Sequence, residues 1–259
     1  MSQPLFQVDA FTGNVFSGNP AAVCPLEQWL DDSLMQSIAA ENNLSETAFF
    51  VQSGDHYDLR WFTPTTEIEL CGHATLASGF VIMTILDPST EEAVFSSMSG
   101  RLTVRRRDDL FVMNFPSQPP VPCDAPENLE AGLRARPRQV FCSQDYFALF
   151  DHEDEVRALT PDFEVLRRLD RRGVIVTAPG KEVDFVSRFF APGVGVNEDP
   201  VTGSAHCALT PYWTKHLHKT KLHALQVSQR GGEIFCEQQD DRVLISGRCA
   251  LYLRGDILL

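Results

Sequence analysis

The sequence predicts an α+β protein made of two similar lobes, and three observations predict it. A motif recurs: Arg60-Trp61-Phe62-Thr63-Pro64 leads into Cys71-Gly72-His73-Ala74, and Arg188-Phe189-Phe190-Ala191-Pro192 leads into Thr202-Gly203-Ser204-Ala205. Each half then continues alike. Gly100-Arg101-Leu102-Thr103-Val104 runs on to Asp108-Asp109-Leu110-Phe111-Val112-Met113, and Gly232-Glu233-Ile234-Phe235-Cys236 to Asp240-Asp241-Arg242-Val243-Leu244-Ile245, with no gap. The offsets agree, since 203 − 72 = 131 and 232 − 100 = 132. Finally, each half combines strand-like segments with one long run of small and apolar residues. The pattern implies two lobes about a pseudo-twofold axis, with a cleft to which each lobe presents the turn before a small-residue helix.

Taken in order, Leu5 to Phe11 alternates apolar and polar residues and opens the fold as a strand. Gly18-Asn19-Pro20 signals a turn, after which Ala21-Ala22-Val23 resumes as a strand. Leu30, Leu34 and Ile38 recur every four residues, predicting an amphipathic helix from Glu27 to Asn42. Thr47 to Val51 and Tyr57 to Phe62 read as paired strands around Ser53-Gly54-Asp55. Gly72 to Leu86 is the first core helix, too short to span a membrane. Gly100 to Val104 and Leu110 to Phe115 form a hairpin. Pro116, Pro119, Pro120, Pro122 and Pro126 crowd the connection between lobes.

The second half begins with Val140 to Phe150. Thr160-Pro161 opens a helix, with a hydroxyl at the cap and proline in the first turn. Gly173 to Ala178 and Asp184 to Phe190 are strands. Gly203 to Leu217 is the second core helix, with a kink expected at Pro211. Leu222 to Val227, Glu233 to Glu237 and Val243 to Leu253 close the fold. The expected division is an N-terminal lobe, 1–117, and a C-terminal lobe, 118–259, whose last strand is free to cross back to the first.

Composition narrows the function. The 259 residues carry a net charge of −13, which argues against a nucleic-acid partner, because phosphate binding needs a basic surface. The arginine clusters, Arg105-Arg106-Arg107 and Arg167-Arg168 with Arg171-Arg172, read as solvated faces of a hairpin and a helix. Seven cysteines, an odd number without a C-x-x-C, argue against a disulfide framework and a Cys-rich zinc site, and for a reduced, cytoplasmic protein. Met1 to Asp9 lacks a basic region followed by an apolar stretch, so no signal peptide is expected. No membrane or metal partner is expected. His216, His218 and His223 lack a cysteine or carboxylate at ligand spacing, and Gly193-Val194-Gly195 lacks the third glycine of a dinucleotide fingerprint.

Candidate chemistry concentrates at the repeated turn. The first amides of a helix are unpaired and its dipole favours negative charge, so the starts at Gly72 and Gly203 could hold a carboxylate or a developing oxyanion. Close packing of two central helices explains the same glycines equally well.

At this point a family resemblance enters. Val8-Asp9-Ala10-Phe11-Thr12 with Gly18-Asn19-Pro20-Ala21-Ala22-Val23 resembles the opening of the PhzF (phenazine biosynthesis-like) family. Ser45-Glu46-Thr47-Ala48-Phe49, Phe62-Thr63-Pro64, Cys71-Gly72-His73-Ala74-Thr75 and Glu198-Asp199-Pro200-Val201-Thr202-Gly203-Ser204-Ala205 are similar to its other signatures, in the right order. The resemblance covers essentially the whole chain. It implies the diaminopimelate epimerase fold, in which each lobe is a curved, mostly antiparallel sheet wrapped around a central helix. It also implies a cofactor-independent isomerase acting on a small carboxylate-bearing substrate. In the founding member this is trans-2,3-dihydro-3-hydroxyanthranilate, and one glutamate removes and returns the proton.

Carried onto this sequence, the resemblance assigns catalysis to Glu46, His73, Asp199 and Ser204. It assigns substrate binding to Gly72 and Gly203, flanked by Cys71 and Thr202. It suggests a homodimer. Such a base must keep its proton from water, which a buried carboxylate does. Without the motif, Glu46 reads as a solvated loop carboxylate and His73 as a capping or packing histidine. Two-base epimerases of this fold place a cysteine before each paired glycine. Here the second position is Thr202, which supplies no thiolate. The Cys/Thr pair instead resembles hydroxyproline dehydratases, so a dehydratase or epimerase of a hydroxy amino acid is the enzymatic alternative. A non-catalytic small-molecule-binding homologue is the other.

Overall fold

The structure, a computed structural model, describes residues 2–259; Met1, the first residue of the expected N-terminal lobe, lies outside them. The chain forms two compact units. One comprises Met1–Asn114 with Ser246–Leu259, and the other Phe115–Ile245.

The first unit opens with β1 (Ser2–Ala10), β2 (Asn19–Leu26), α1 (Asp32–Asn42), β3 (Glu46–Ser53), β4 (His56–Phe62) and β5 (Glu67–Ile68). Then come α2 (Gly72–Val81), a π-helical turn (Ile82–Leu86), β6 (Glu92–Ser97), β7 (Gly100–Arg107) and β8 (Leu110–Pro116). The second contains β9 (Val121–Pro122), α3 (Glu127–Leu133), β10 (Gln139–Cys142), β11 (Tyr146–Leu149), α4 (Glu153–Ala158), α5 (Phe163–Leu166), β12 (Val174–Pro179) and β13 (Phe185–Phe190). It continues with α6 (Gly203–Leu217), β14 (Lys221–Gln226), β15 (Gly232–Gln239) and β16 (Arg242–Gly247). The final strand, β17 (Cys249–Leu258), pairs antiparallel with β1 in the first unit, from Ser2↔Leu258 to Ala10↔Cys249.

Strand pairing follows the same succession in both units. β1–β2 is antiparallel, β2–β3 parallel, β3–β4 antiparallel, β4–β6 parallel and β6–β7 antiparallel. In the second unit β10–β11, β11–β12, β12–β13, β13–β14 and β14–β15 repeat that alternation. Parallel neighbours need a crossover, which helices supply: α1 and α2 in the first unit, α4–α5 and α6 in the second. The repeated arginine does the same work in each. Arg60 makes a bidentate pair with Glu67 at 2.7 and 2.8 Å, and Arg188 with Glu198 at 2.7 and 3.0 Å. Each guanidinium also lies over a phenylalanine, Phe62 at 5.2 Å and Phe190 at 4.9 Å.

The two long core helices are buried on nearly all sides, which explains their small, apolar sequences. His73 through Gly79 are buried in α2, as are Gly203, Ala205 through Thr210, Tyr212 and Trp213 in α6. Gly79 is the glycine that packing requires, since a Cβ there would sit 2.6 Å from Val104 Cγ1. At Gly72 a Cβ would meet only Met113 Cε at 3.9 Å, so packing does not explain that glycine.

Several expected boundaries shift. Asn19 and Pro20 are paired in β2, opposite Ala10 and Asp9, so the turn precedes them at Gly18, where φ is +66°. α1 starts at Asp32 rather than Glu27: β2 runs on to Leu26, and Leu30 packs on the α1 core from non-helical backbone. Thr160-Pro161 does not open a helix. Asp162 caps the four-residue α5 by accepting from the Val165 amide at 3.3 Å. Val140 to Phe150 folds as the hairpin of β10 and β11, and Val243 to Leu253 divides into β16 and β17. The segment from Arg167 to Arg172 is not an exposed helical face. Arg171 donates to the Ser143 carbonyl at 2.6 Å, and Arg172 is engaged with Asp145.

Candidate functional site

In the first unit, three sequence-predicted residues meet. Parallel pairing of Ala21 with Glu46 places the glutamate at the first position of β3. Cys71 is the extended N-cap of α2, and His73 lies in its first turn. Thr75 secures that turn: its amide and its hydroxyl both donate to the Cys71 carbonyl, at 3.1 and 2.5 Å. As a result His73 Nε2 lies 3.2 Å from Glu46 Oε2, with the side chains 7% and 13% exposed. Cys71 Sγ lies 3.5 Å from His73 Nδ1. Burial pushes the His73 pKa down to about 4, against a hydrogen bond to Pro20 that favours the charged form. Proline has no N–H, so the imidazole donates to its carbonyl.

Gly72 is only partly buried, and a Cβ there would touch only Met113 Cε at 3.9 Å, so its backbone is approachable. Among the described residues, Glu46, Cys71 and His73 are the one group of three metal-capable side chains, with their ligand atoms within 4.8 Å of one another. The cysteines are all free thiols. His216 and His223 are used elsewhere: Nδ1 of His216 donates to the Tyr212 carbonyl at 2.7 Å, and Nε2 of His223 lies 2.9 Å from Glu233.

In the second unit the turn before α6 gathers Asp199, Thr202, Gly203 and Ser204. The Thr202 hydroxyl donates to Asp199 Oδ2 at 2.6 Å. Gln226, 1% exposed, accepts from the Thr202 amide at 2.9 Å and donates to the Asp199 carbonyl at 2.8 Å. His206 Nδ1 donates to the Thr202 carbonyl at 2.8 Å, the part that Thr75 plays toward Cys71. Burial pushes the His206 pKa down to about 4. Thr202 is therefore a structural hub, its hydroxyl already committed to Asp199.

Sequence reasoning missed Arg172, Asp145, Gln226 and His206. Arg172 grips the buried Asp145 at 2.9 and 2.6 Å and donates from Nη2 to Ser204 Oγ at 3.1 Å. Its guanidinium also lies over Phe189 at 5.2 Å. No signal in the sequence joins Arg172 to an aspartate 27 positions earlier or a serine 32 positions later. Gln226 and His206 lie outside every quoted motif; the repeat does align His206 with Thr75, which was the available clue.

Comparison with known proteins follows this geometry. The family model of the phenazine biosynthesis-like proteins, PhzC-PhzF, matches residues 8–255. An uncharacterized isomerase of Pseudomonas aeruginosa is 51% identical over 259 residues, covering 100% of both chains. A solved phenazine biosynthesis protein of the PhzF family from Enterococcus faecalis superposes with a TM-score of 0.98 at 48% identity, also covering 100% of both chains. A probable proline racemase from Agrobacterium radiobacter, 12% identical, superposes with a TM-score of 0.65 over 99% of this chain and 93% of its own, which shows a shared fold alone. The chain belongs to the phenazine biosynthesis-like family, and its α+β fold is the one that family shares with such epimerases.

Proposed function

We propose that this member of the phenazine biosynthesis-like family is an isomerase that moves a proton between carbons of a small carboxylate-bearing substrate, using Glu46 as its single base and no cofactor. The observation that carries the reading is the Glu46–His73 contact of 3.2 Å in a nearly water-free setting. The naming of a 51% identical relative as an isomerase supports the reaction class.

On this reading Glu46 takes a proton from an activated carbon and returns it to another. Burial of both side chains keeps that proton from exchanging with water between the two steps. His73 is uncharged, so it does not neutralise the carboxylate as a permanent counter-ion would. Across the 3.2 Å contact it orients the Glu46 carboxyl group. The Gly72 and Gly203 amides are the proposed carboxylate donors. Asp199 and Ser204 are proposed polar partners. Arg172 donates to Ser204 Oγ and so leaves the serine's own proton to be given onward.

A second reading rests on Cys71 Sγ, 3.5 Å from His73 Nδ1. A thiol beside an imidazole is the arrangement of a thiolate base, which favours a dehydratase or epimerase of a hydroxy amino acid. Proton NMR in heavy water separates the two. A panel of amino and hydroxy acids, with trans-2,3-dihydro-3-hydroxyanthranilate, is incubated with wild type, Glu46→Ala and Cys71→Ala. Isomerisation or carbon-bound deuterium that vanishes in Glu46→Ala supports the isomerase. Loss of water from a β-hydroxy acid that vanishes in Cys71→Ala supports the alternative. Tight binding without exchange supports a non-catalytic binding protein.

The same proposal includes descent of the two units from an internal duplication, for which the common pairing succession is the support. It also includes a cytoplasmic homodimer, which sedimentation of the purified chain tests; the free cysteines support a reducing compartment.

A further inference from the structure

We propose that Glu46, Cys71 and His73 form a binding site for a thiophilic divalent cation of the zinc class, and that the bound cation shuts off proton transfer at Glu46. The second clause rests on Glu46 being the base; the first does not.

The donor set points to the cation. One thiol sulfur, one imidazole nitrogen and one carboxylate oxygen suit zinc, which combines sulfur, nitrogen and oxygen ligands and accepts three protein ligands with a fourth position open. Hard cations such as magnesium avoid the sulfur. Charge supports the assignment, since thiolate and carboxylate together balance a divalent cation. A neutral complex then forms where Cys71 and His73 are each 6% exposed, and no net charge is buried.

The geometry is close to that required. With metal–ligand bonds of about 2.0–2.3 Å, the edge of a tetrahedron is roughly 3.3–3.6 Å. His73 Nε2 and Glu46 Oε2 are already 3.2 Å apart, and all three ligand atoms lie within 4.8 Å of one another. The Cys71 sulfur now lies beside the other ring nitrogen, 3.5 Å from Nδ1, so completing the sulfur edge at Nε2 takes a rotation of the Cys71 side chain toward that nitrogen.

The ligands also sit on fixed backbone. Glu46 is held by the β2–β3 pairing, and Cys71 by the two Thr75 bonds to its carbonyl. Other buried thiols, Cys24, Cys207 and Cys236, belong to no comparable group among the described residues.

Binding is a ligand exchange without redox change. The cation displaces the Cys71 thiol proton to buffer, and the sulfur, nitrogen and oxygen lone pairs become metal bonds. Glu46 then has no free lone pair aimed at substrate.

Tag-free protein titrated with cobalt(II) chloride tests the site, read by absorbance. The expected result is a near-ultraviolet thiolate-to-cobalt charge-transfer band that saturates at one cobalt per chain and is bleached by zinc chloride. The band is lost in Cys71→Ser. In His73→Gln and Glu46→Gln, which keep the thiol, cobalt binds at least tenfold more weakly. Far-ultraviolet circular dichroism of each variant checks folding, and the two variants that keep Cys71 carry the test should Cys71→Ser fail it. No charge-transfer band in wild type, or an unchanged band in folded Cys71→Ser or in both folded thiol-keeping variants, overturns the site. Because absorbance needs no substrate, a chain that binds cobalt but turns nothing over keeps the site and removes only the functional reading. With an active substrate, zinc that saturates the site without inhibiting turnover overturns the second clause.

Discussion

Arg172 donates from Nη2 to Ser204 Oγ at 3.1 Å while Nε and Nη2 grip Asp145, a carboxylate only 2% exposed. The hydroxyl in the first turn of α6 is thus oriented by a guanidinium whose own position is set by a buried charge. Arg172→Met removes the donor to Asp145 and Ser204 at once and leaves a buried carboxylate unpaired. The expected loss is about 2–3 kcal/mol, below the full range for breaking a buried pair because the arginine is itself one-third exposed. Urea unfolding measures it, and Arg172→Lys should recover part of the charge term but not the fork geometry.

The repeated arginines should not contribute equally. Arg188 is 11% exposed and, besides Glu198, donates to the carbonyls of Val156 and Leu159 at 3.1 and 2.9 Å. Arg60 is 24% exposed and its third contact is the exposed Asp32. Arg188→Met should cost about 3–5 kcal/mol and Arg60→Met about 1–2 kcal/mol. Chemical denaturation of the two variants side by side checks the order.

Acid should destabilise the protein through two buried histidines. His73 and His206 both have folded pKa values pushed down to about 4 by burial. In the unfolded chain each titrates near about 6.5, so on acidification the unfolded state takes up these protons first. Their contribution is fully present above about pH 6.5 and is lost as pH falls toward 4. Stability measured by urea titration should therefore fall between about pH 6.5 and 5, with a slope approaching two protons. His206→Gln should roughly halve the histidine part of that slope.

Two glycines of α2 should respond oppositely. Gly79→Ala forces a Cβ to 2.6 Å from Val104 and should cost about 1–3 kcal/mol. Gly72→Ala meets only Met113 at 3.9 Å and should leave stability within about 0.5 kcal/mol. If Gly72 is glycine for a ligand's sake, its alanine variant should nonetheless lose turnover in the heavy-water assay.

Much of the fold was legible because the informative patterns are local. α6 runs from Gly203 to Leu217 as its small-residue composition predicts, and it continues through Pro211. The Thr47–Val51 and Tyr57–Phe62 segments pair as strands around Gly54. Where reading failed, tertiary contacts had overridden a local signal. Leu30 mimics helical spacing but packs from non-helical backbone, and Asp162 takes the capping role that the sequence assigns to Thr160. Strand β6 buries only Ala93 and Phe95, and the apolar Val94 between them removes the alternation that would have marked it. In the candidate site, Glu46, Cys71 and His73 were found by motif, and the structure brings them together. Arg172 and Asp145 were invisible, because a long-range ion pair leaves no spacing to read.

The rate of substrate isomerisation followed by proton NMR, in wild type against Glu46→Gln, tests the central claim most directly. The variant is close in shape to the glutamate but lacks a basic carboxylate, so its fold should persist while proton transfer to a turned-over substrate falls at least a hundredfold. Isomerisation by folded Glu46→Gln at the wild-type rate would contradict the assignment of Glu46 as the base.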